Sequence, residues 1–364
     1  MRIAYVIAGG MDRSGRERVI PVLLSLVERQ ARRHHVSVYV LRYHATPCSY
    51  ELVGATVHDL GRPAGLARQY RATIAALRRD GPFDVIHGYW ALPAGLVAAL
   101  AGRRLRIPSV VTFSSGEVVS HPDLQYGLQG RWRSRLGVAA TMRLATRLTA
   151  CTQFQARLTE RHGRRPDVIP WGVDTSIFTP ALREEGPPWR LLHVASLNRI
   201  KEQSMLIDAM NAIVARQPTA HLDIVGEDTL NGAIQSHAHR SGLDAHVTFH
   251  GFLPTDRLVP LYQRAHLLVM SSRHEAAGVS VLEAAACGVP VAGTAVGYLA
   301  DWTPDRAVSV PPRDAAALAK AVLALLEDKP ARDQLAAAAR TWTLTHDVDW
   351  TAAKLTAIYS ELRN

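Results

Sequence analysis

The sequence predicts an α/β protein of two domains, each built on a doubly wound parallel sheet. Three observations carry this. A chain of 364 residues exceeds one ordinary core, and its 48% hydrophobic content is that of a globular protein. Short apolar runs alternate with helix-like stretches along the whole length, the pattern of consecutive βαβ units. The polar, Pro-rich stretch LREEGPPW (182–189) divides that alternation into two series.

In the first series, 3–8 is an apolar strand ending at Gly9, Gly10 and, after MDRS, Gly15; a helix is expected over about 17–34. The glycines are not spaced Gly-x-Gly-x-x-Gly, so no dinucleotide fingerprint is present. Stretches 36–42, 84–87 and 109–113 read as strands, with helices around 66–79 and 93–100. Segment 127–165 interleaves Arg131, Arg133, Arg135, Arg143 and Arg147 with Trp132, Leu136, Val138, Met142 and Leu144. Such a basic amphipathic helix suits an anionic membrane surface, or else packs on the sheet with a solvated arginine face; both readings stay open. A short strand at 167–170 leads into WGVDTSIFTP. The second series opens with a strand at 190–196 and a helix at 201–216 with Leu206, Ala209, Met210 and Ile213 on one face. Strands HLDIVGE, HVTFHGF and HLLVMSS follow, then helices at 314–327, 329–341 and 350–362.

Composition narrows the function classes. No apolar run reaches the roughly 18 residues of a membrane span. The opening MRIAYVIAGG reads as a strand rather than a secretory signal. Cys48, Cys151 and Cys287 form no metal or redox pattern and fit free thiols in a reducing cytosol. His221, His246, His250 and His266 bracket strands at no metal spacing and read as structural or surface residues. Net charge is +10, yet the first 182 residues carry 25 Arg+Lys against 12 Asp+Glu. That asymmetry points the first half at an anionic partner; nucleic acid is disfavoured because no recognition module or stacking motif is visible.

The stretch RHEAAGVSVLEAAACGVPV (273–291) is the best candidate site. It follows a strand and opens a helix at about Val279, behind Gly278, and the helix stops at Gly288 and Pro290. The first amides of such a helix lack partners and face the positive end of the dipole, which makes an anion site. Glu275 precedes the helix and Glu283 lies one turn inside it, inclined toward its start. Carboxylates repel a phosphate but accept bonds from hydroxyls attached to it, so amides and carboxylates together suggest a nucleotide-sugar. An isolated pair of this kind is more often an exposed loop Glu and a solvated helix Glu. Lys201 at a helix start conflicts with the dipole unless a phosphate binds there.

Four segments in order, VIPWGVDTSIFTP, VASLNRIKEQSMLIDAM, DIVGEDTL with VTFHGFLP, and RHEAAGVSVLEAAACGVPV, resemble the family 4 retaining glycosyltransferases, glycosyl transferases group 1. SGRERV more loosely resembles that family's glycine loop. The resemblance implies the GT-B architecture: two facing Rossmann-like domains with parallel sheets and an interdomain donor cleft. It implies an acceptor-side domain over 1–180, a nucleotide-sugar-binding domain over 181–345, and a C-terminal helix over 346–364 that packs back on the first. By position, Glu283 would hold the ribose hydroxyls and Glu275 the donor sugar. The amides of Gly278 and Val279 would meet the phosphates, Lys201 would neutralise the leaving diphosphate, and Gly15 would approach the donor. The donor would be a UDP-, GDP- or ADP-sugar and the acceptor a saccharide or a lipid-linked molecule in cell-surface glycan assembly. Neither cofactor nor metal is implied. The setting would be cytoplasmic, with contact at the inner face of the membrane.

The chain departs from that pattern in places. The usual Arg five residues before the Lys is Ser196, with Asn198 or Arg199 as candidate substitutes. The usual His after the strand ending VVTF is replaced by Ser114 and Ser115, with His87 as a candidate compensation, and Ala276 stands where a Gly is usual. Two other functions fit less of the sequence: a non-hydrolysing sugar-nucleotide epimerase, and a weakly active protein that binds membrane or glycan.

Overall fold

Residues Ile3 to Ile7 are apolar without alternation, as a strand covered on both faces must be, and all five are buried. The computed structural model describes residues 1–363, in two units: 1–172 with 348–363, and 173–347.

The first unit runs β1 (Arg2–Ile7), α1 (Pro21–Ala31), β2 (His35–Val40), β3 (Cys48–Leu52), β4 (Ala55–Asp59), α2 (Gly65–Asp80), β5 (Val85–Tyr89), α3 (Leu96–Leu105), β6 (Ser109–Phe113), α4 (Trp132–Leu144), β7 (Arg147–Ala150), α5 (Gln153–Glu160) and β8 (Asp167–Val168), and takes in the C-terminal helix Val348–Arg363. Its sheet has the order β3-β4-β2-β1-β5-β6-β7-β8. Every pairing is parallel except β3 with β4. The chain thus moves outward from β1 on one side and returns at β5 on the other.

The C-terminal helix covers this sheet. Tyr359 on it is fully buried, and its hydroxyl meets His87 Nδ1 at 2.5 Å while His87 Nε2 meets the Thr112 hydroxyl at 2.7 Å. Burial pushes His87 down to about 3, so the ring is neutral. His87 is therefore a satisfied core residue and no substitute for the missing histidine at Ser114.

The second unit runs β9 (Arg190–Val194), α6 (Gln203–Arg216), β10 (His221–Val225), α7 (Ala233–Arg240), β11 (Val247–Gly251), α8 (Thr255–Arg264), β12 (Leu267–Met270), α9 (Val279–Ala286), β13 (Val291–Thr294), α10 (Gly297–Trp302), β14 (Val308–Val310), α11 (Ala315–Glu327) and α12 (Lys329–Thr345). The sheet order is β11-β10-β9-β12-β13-β14, all parallel. Leu206, Ala209, Met210 and Ile213 of α6 enter its core, as their spacing requires.

Three local expectations need correction. The first helix begins at Pro21, not near 17: Ile20 N donates to Gly10 O at 2.9 Å and Met11 bridges Val19, so 11–19 closes as a loop. Pro21 suits a first helical position because its missing N–H costs nothing there. The β3–β4 hairpin was not expected; it adds an antiparallel edge to the first sheet. The basic stretch 127–165 is not one helix, since Arg147 starts β7 and only Arg131 to Leu144 belong to α4 and its N-cap.

Candidate functional site

In a doubly wound sheet the loops leaving the strands on either side of the reversal diverge to opposite faces, and a crevice opens between them. In the second unit those strands are β9 and β12. The loop after β9 carries Asn198, Arg199 and Lys201, and the loop after β12 carries Glu275.

Three contacts knit the loops together. Ser271 Oγ donates to Lys201 O at 2.7 Å, Arg273 N donates to Ile200 O at 2.8 Å, and the Arg273 guanidinium reaches Glu202 at 3.4 Å. Asn198 Oδ1 accepts from Lys201 N at 3.2 Å and shapes the turn. Lys201 thereby meets Glu275 in a direct ion pair, and Ser272 Oγ donates to the same carboxylate oxygen at 2.7 Å. Thr294 fixes Ser272 in turn by donating to its carbonyl at 2.6 Å. Burial would raise the Glu275 carboxyl, but the Lys201 ammonium and the bonds from Lys201 and Ser272 outweigh it and hold it below the ordinary value. The conflict expected between Lys201 and the dipole of the next helix is met by Glu275, and α6 itself starts two residues later, at Gln203.

Gly278 caps α9 with φ +82°, a conformation glycine adopts without strain, and no side chain caps the first turn. A Cβ on Gly278 would lie 3.7 Å from Glu275 Cγ, so the open amides of Gly278 and Val279 adjoin the ion pair. Behind them, Tyr298 N donates to Ala277 O at 2.9 Å, and a Cβ on Gly297 would stand 2.2 Å from that oxygen. Only glycine at 297 lets α10 press on the loop.

Every residue of α9 from Ser280 to Ala286 is buried, including Glu283. Glu283 Oε2 accepts from the Tyr262 hydroxyl of α8 at 2.6 Å. Burial raises the Glu283 carboxyl to about 7, against the lowering effect of that single neutral donor. Tyr262, Ser271, Ser272 and Arg273 escaped sequence reasoning; the Ser-Ser-Arg run after an apolar strand is the one signal available for three of them.

The remaining expected residues stand outside these contacts. Arg199 and Ser196 are exposed, and the Ser196 carbonyl accepts from Gln203 Nε2 at 3.1 Å. Beneath them His193 is buried and pushed down to about 4 by that burial, with Nδ1 on Val269 O at 2.8 Å. Gly15 belongs to the first unit, where its N–H closes a turn on Asp12 O at 3.0 Å. In that unit too, Ser114 N and Ser115 N donate to the buried carboxylate of Glu117 at 3.1 and 2.7 Å. His221, His246, His250 and His266 bond Thr248, Ala220 O, Asp223 and Glu184 O respectively, each tying down a strand or its flank. Among the described residues no three His, Cys, Asp or Glu side chains are grouped to hold a metal, and no helix is long and apolar enough to cross a membrane.

Residues 175–342 match the family described as Glycosyl transferases group 1, and residues 19–172 match the Glycosyl transferase 4-like domain. A protein from Kribbella flavida named D-inositol 3-phosphate glycosyltransferase is 30% identical over 333 residues, 81% of this chain and 78% of that protein. One of the same name from Arthrobacter sp. FB24 is 31% identical over 68% of this chain, and the match spans 65% of its own length. Among solved structures, sucrose-phosphate synthase from Thermosynechococcus elongatus, a GT-B protein, superposes over 100% of this chain and 99% of its own (TM-score 0.83, 21% identity). Anabaena HepE, solved with UDP-glucose, superposes over 99% of this chain and 100% of its own (TM-score 0.76, 18% identity).

The Glu283 carboxyl generates a prediction about stability. Its proton is held to about pH 7 when folded but leaves near the ordinary value of 4.5 when unfolded. Between those values the folded state binds more protons, so the contribution present below pH 4.5 is lost as pH rises through 7. The full effect is on the order of 3 kcal/mol. Glu283→Gln, which never ionises, should gain on the wild type from pH 5 to pH 8 in urea unfolding. Parallel stability curves for the two proteins over that range would show that Glu283 does not titrate as described.

Proposed function

The chain belongs to the glycosyl transferases group 1 family, and on that premise we propose that it is a retaining hexosyltransferase acting in cell-surface glycan assembly. It moves a sugar from a nucleoside diphosphate to a saccharide or lipid-linked acceptor. One observation carries the reading: at the reversal point of the second sheet, an ionised carboxylate and an ammonium pair directly beside the open amides of a helix start. In use, the amides of Gly278 and Val279 and the Lys201 ammonium take the diphosphate, where leaving-group charge develops. Glu275 accepts from the sugar hydroxyls and holds the anomeric carbon in line. Glu283 accepts from the ribose, and Tyr262 fixes its carboxylate for that task. The transfer proceeds with retention by front-face attack and uses no protein nucleophile. The sugar-nucleotide bound to HepE and the glycosyltransferase names of the relatives support the donor class.

The two carboxylates should fail differently. Glu283→Ala should weaken donor and free nucleoside diphosphate alike, by roughly ten- to a hundredfold for a lost charged hydrogen bond. Glu275→Ala should leave free nucleotide binding nearly intact and lower turnover, since a misplaced sugar loses its alignment. Calorimetry beside steady-state kinetics separates the two; wild-type kinetics from a folded Glu275→Ala protein would refute its role.

Leaving-group charge falls to Lys201 and helix amides, so transfer should survive excess EDTA. Complete loss of activity, restored by magnesium or manganese, would overturn metal independence.

The first unit also meets an anionic membrane from the cytoplasmic side. On α4, Trp132 and Leu136 are 60% and 62% exposed, beside Arg131, Arg133 and Arg135. They flank a groove of about 470 Å³ lined by Val138 and Met142. Each arginine near the surface adds about 1 kcal/mol of attraction, screened by salt. Sedimentation should therefore show binding to anionic vesicles and little to neutral ones; equal binding to both leaves α4 a solvated face.

A further inference from the structure

β2 and β4 are parallel neighbours, with Val40 beside Asp59, so the chain leaves both strands at the same edge of the first sheet. Arg42 follows β2 and Arg62 follows β4. Together with Pro63, Ala64, Gly65 and Gln69 they line a cavity of about 370 Å³. Both arginines are exposed, and Arg62 is braced by two bonds to Tyr43 O at 3.2 and 3.0 Å.

The cavity is also the start of α2, a helix of 16 residues with no acidic residue in its first turn and no side-chain cap. Its first amides point out of the helix without partners, at the positive end of the dipole. A Cβ on Gly65 would touch nothing within 4 Å, so the approach is open. The nearby carboxylates are already engaged: Asp59 takes His44 N at 3.0 Å and Gly61 N at 2.8 Å, and Asp12 takes the Tyr43 hydroxyl at 2.9 Å.

An independent observation is Gln69. It is 1% exposed, and its Nε2 donates to Pro63 O at 3.2 Å, which fixes the amide orientation. Its Oε1 is buried without a hydrogen-bond partner. A buried acceptor left unmade is costly, and the other polar side chains of the cavity lining, Arg42 and Arg62, are donors only. A hydroxyl would supply the donor it lacks.

We propose that this cavity binds the phosphate monoester of a hydroxylated acceptor. The phosphate lies between Arg42, Arg62 and the first amides of α2, and a hydroxyl of the same molecule donates to Gln69 Oε1. This rests on the transferase reading and narrows its acceptor to a sugar or polyol that carries a phosphate.

The test is calorimetry on the full chain with inositol 3-phosphate, glucose 6-phosphate, glycerol 3-phosphate, inositol and inorganic phosphate. At least one of the three phosphate esters should bind tenfold or more tightly than inorganic phosphate, and inositol should not register. Arg42→Ala with Arg62→Ala should cost that ester at least tenfold, while the exposed Arg104→Ala on α3 should not. Gln69→Leu, its fold checked by thermal unfolding, should reduce the ester to the level of inorganic phosphate. Esters no tighter than inorganic phosphate, or an ester indifferent to the arginine double variant, overturn the site. UDP, GDP and ADP titrated into the same protein tell the two failures apart. Nucleotide binding without ester binding removes this site alone, whereas no binding of any nucleotide removes the transferase reading beneath it.

Discussion

The candidate site of the second unit is built on one ion pair, Lys201 with Glu275, and on the topology that sets its two loops side by side. The two residues are far apart in sequence, yet they follow β9 and β12, which are adjacent in the sheet because the strand order reverses between them. Taking two charges largely out of water is unfavourable unless each finds its partner with good geometry. The loops supply that geometry through Ser271, Arg273 and Ser272, whose bonds hold backbone as well as carboxylate. A pair held this firmly is a preformed polar surface. In the proposed reading, an incoming diphosphate would offer the ammonium a second anion and incoming hydroxyls would offer the carboxylate further donors, so occupancy would redistribute bonds rather than create them.

Glu275 and Glu283 show how one stretch of chain holds two carboxylates in different electrostatic settings. They flank the same helix start, but one faces an ammonium and the other a phenol. The first is held ionised below its ordinary value, and the second is raised to about 7 by burial. Opposed shifts within one site separate roles without any change of residue type. The Ala-rich helix is buried from Ser280 to Ala286, and its small side chains leave Glu283 as its one acidic group.

What was legible in the sequence is what local pattern encodes. Glu275, Gly278 and Glu283 could be placed because a strand, a glycine and an Ala-rich helix succeed one another within one window, and Lys201 because a cation stands at the start of a separate helix-like stretch. Tyr262 could not, because its contact with Glu283 is made by packing α8 against α9, and an apolar stripe does not reveal where one hydroxyl ends up. His87 invited a functional reading as a lone histidine at a strand end, and Tyr359, 272 residues away, sealed it into the core. The helix start at Pro21 and the β3–β4 hairpin were missed for a shared reason. Both are set by backbone bonds between loop and edge segments, where polar side chains carry no periodic signal.

The first unit answers its departures from the family in a different currency. Where a histidine is usual, Ser114 and Ser115 direct their amides at the carboxylate of Glu117, which is 1% exposed and bonded again by Gln155 Nε2 at 3.4 Å. Burial raises that carboxyl above its ordinary value although several amides work to lower it. An internal acid thus fills the group of amides that a parallel sheet presents beyond its strand ends, a place suited to anions. With that place occupied from within, an external anion must be met elsewhere. Two of the first half's arginines, Arg42 and Arg62, stand together at one place, in the loops that follow the outward strands β2 and β4. If Arg42 and Arg62 take a phosphate beside Gln69 as proposed, this unit meets an external anion at the β4 side of its sheet, while the amides beyond β6 are already bonded to Glu117.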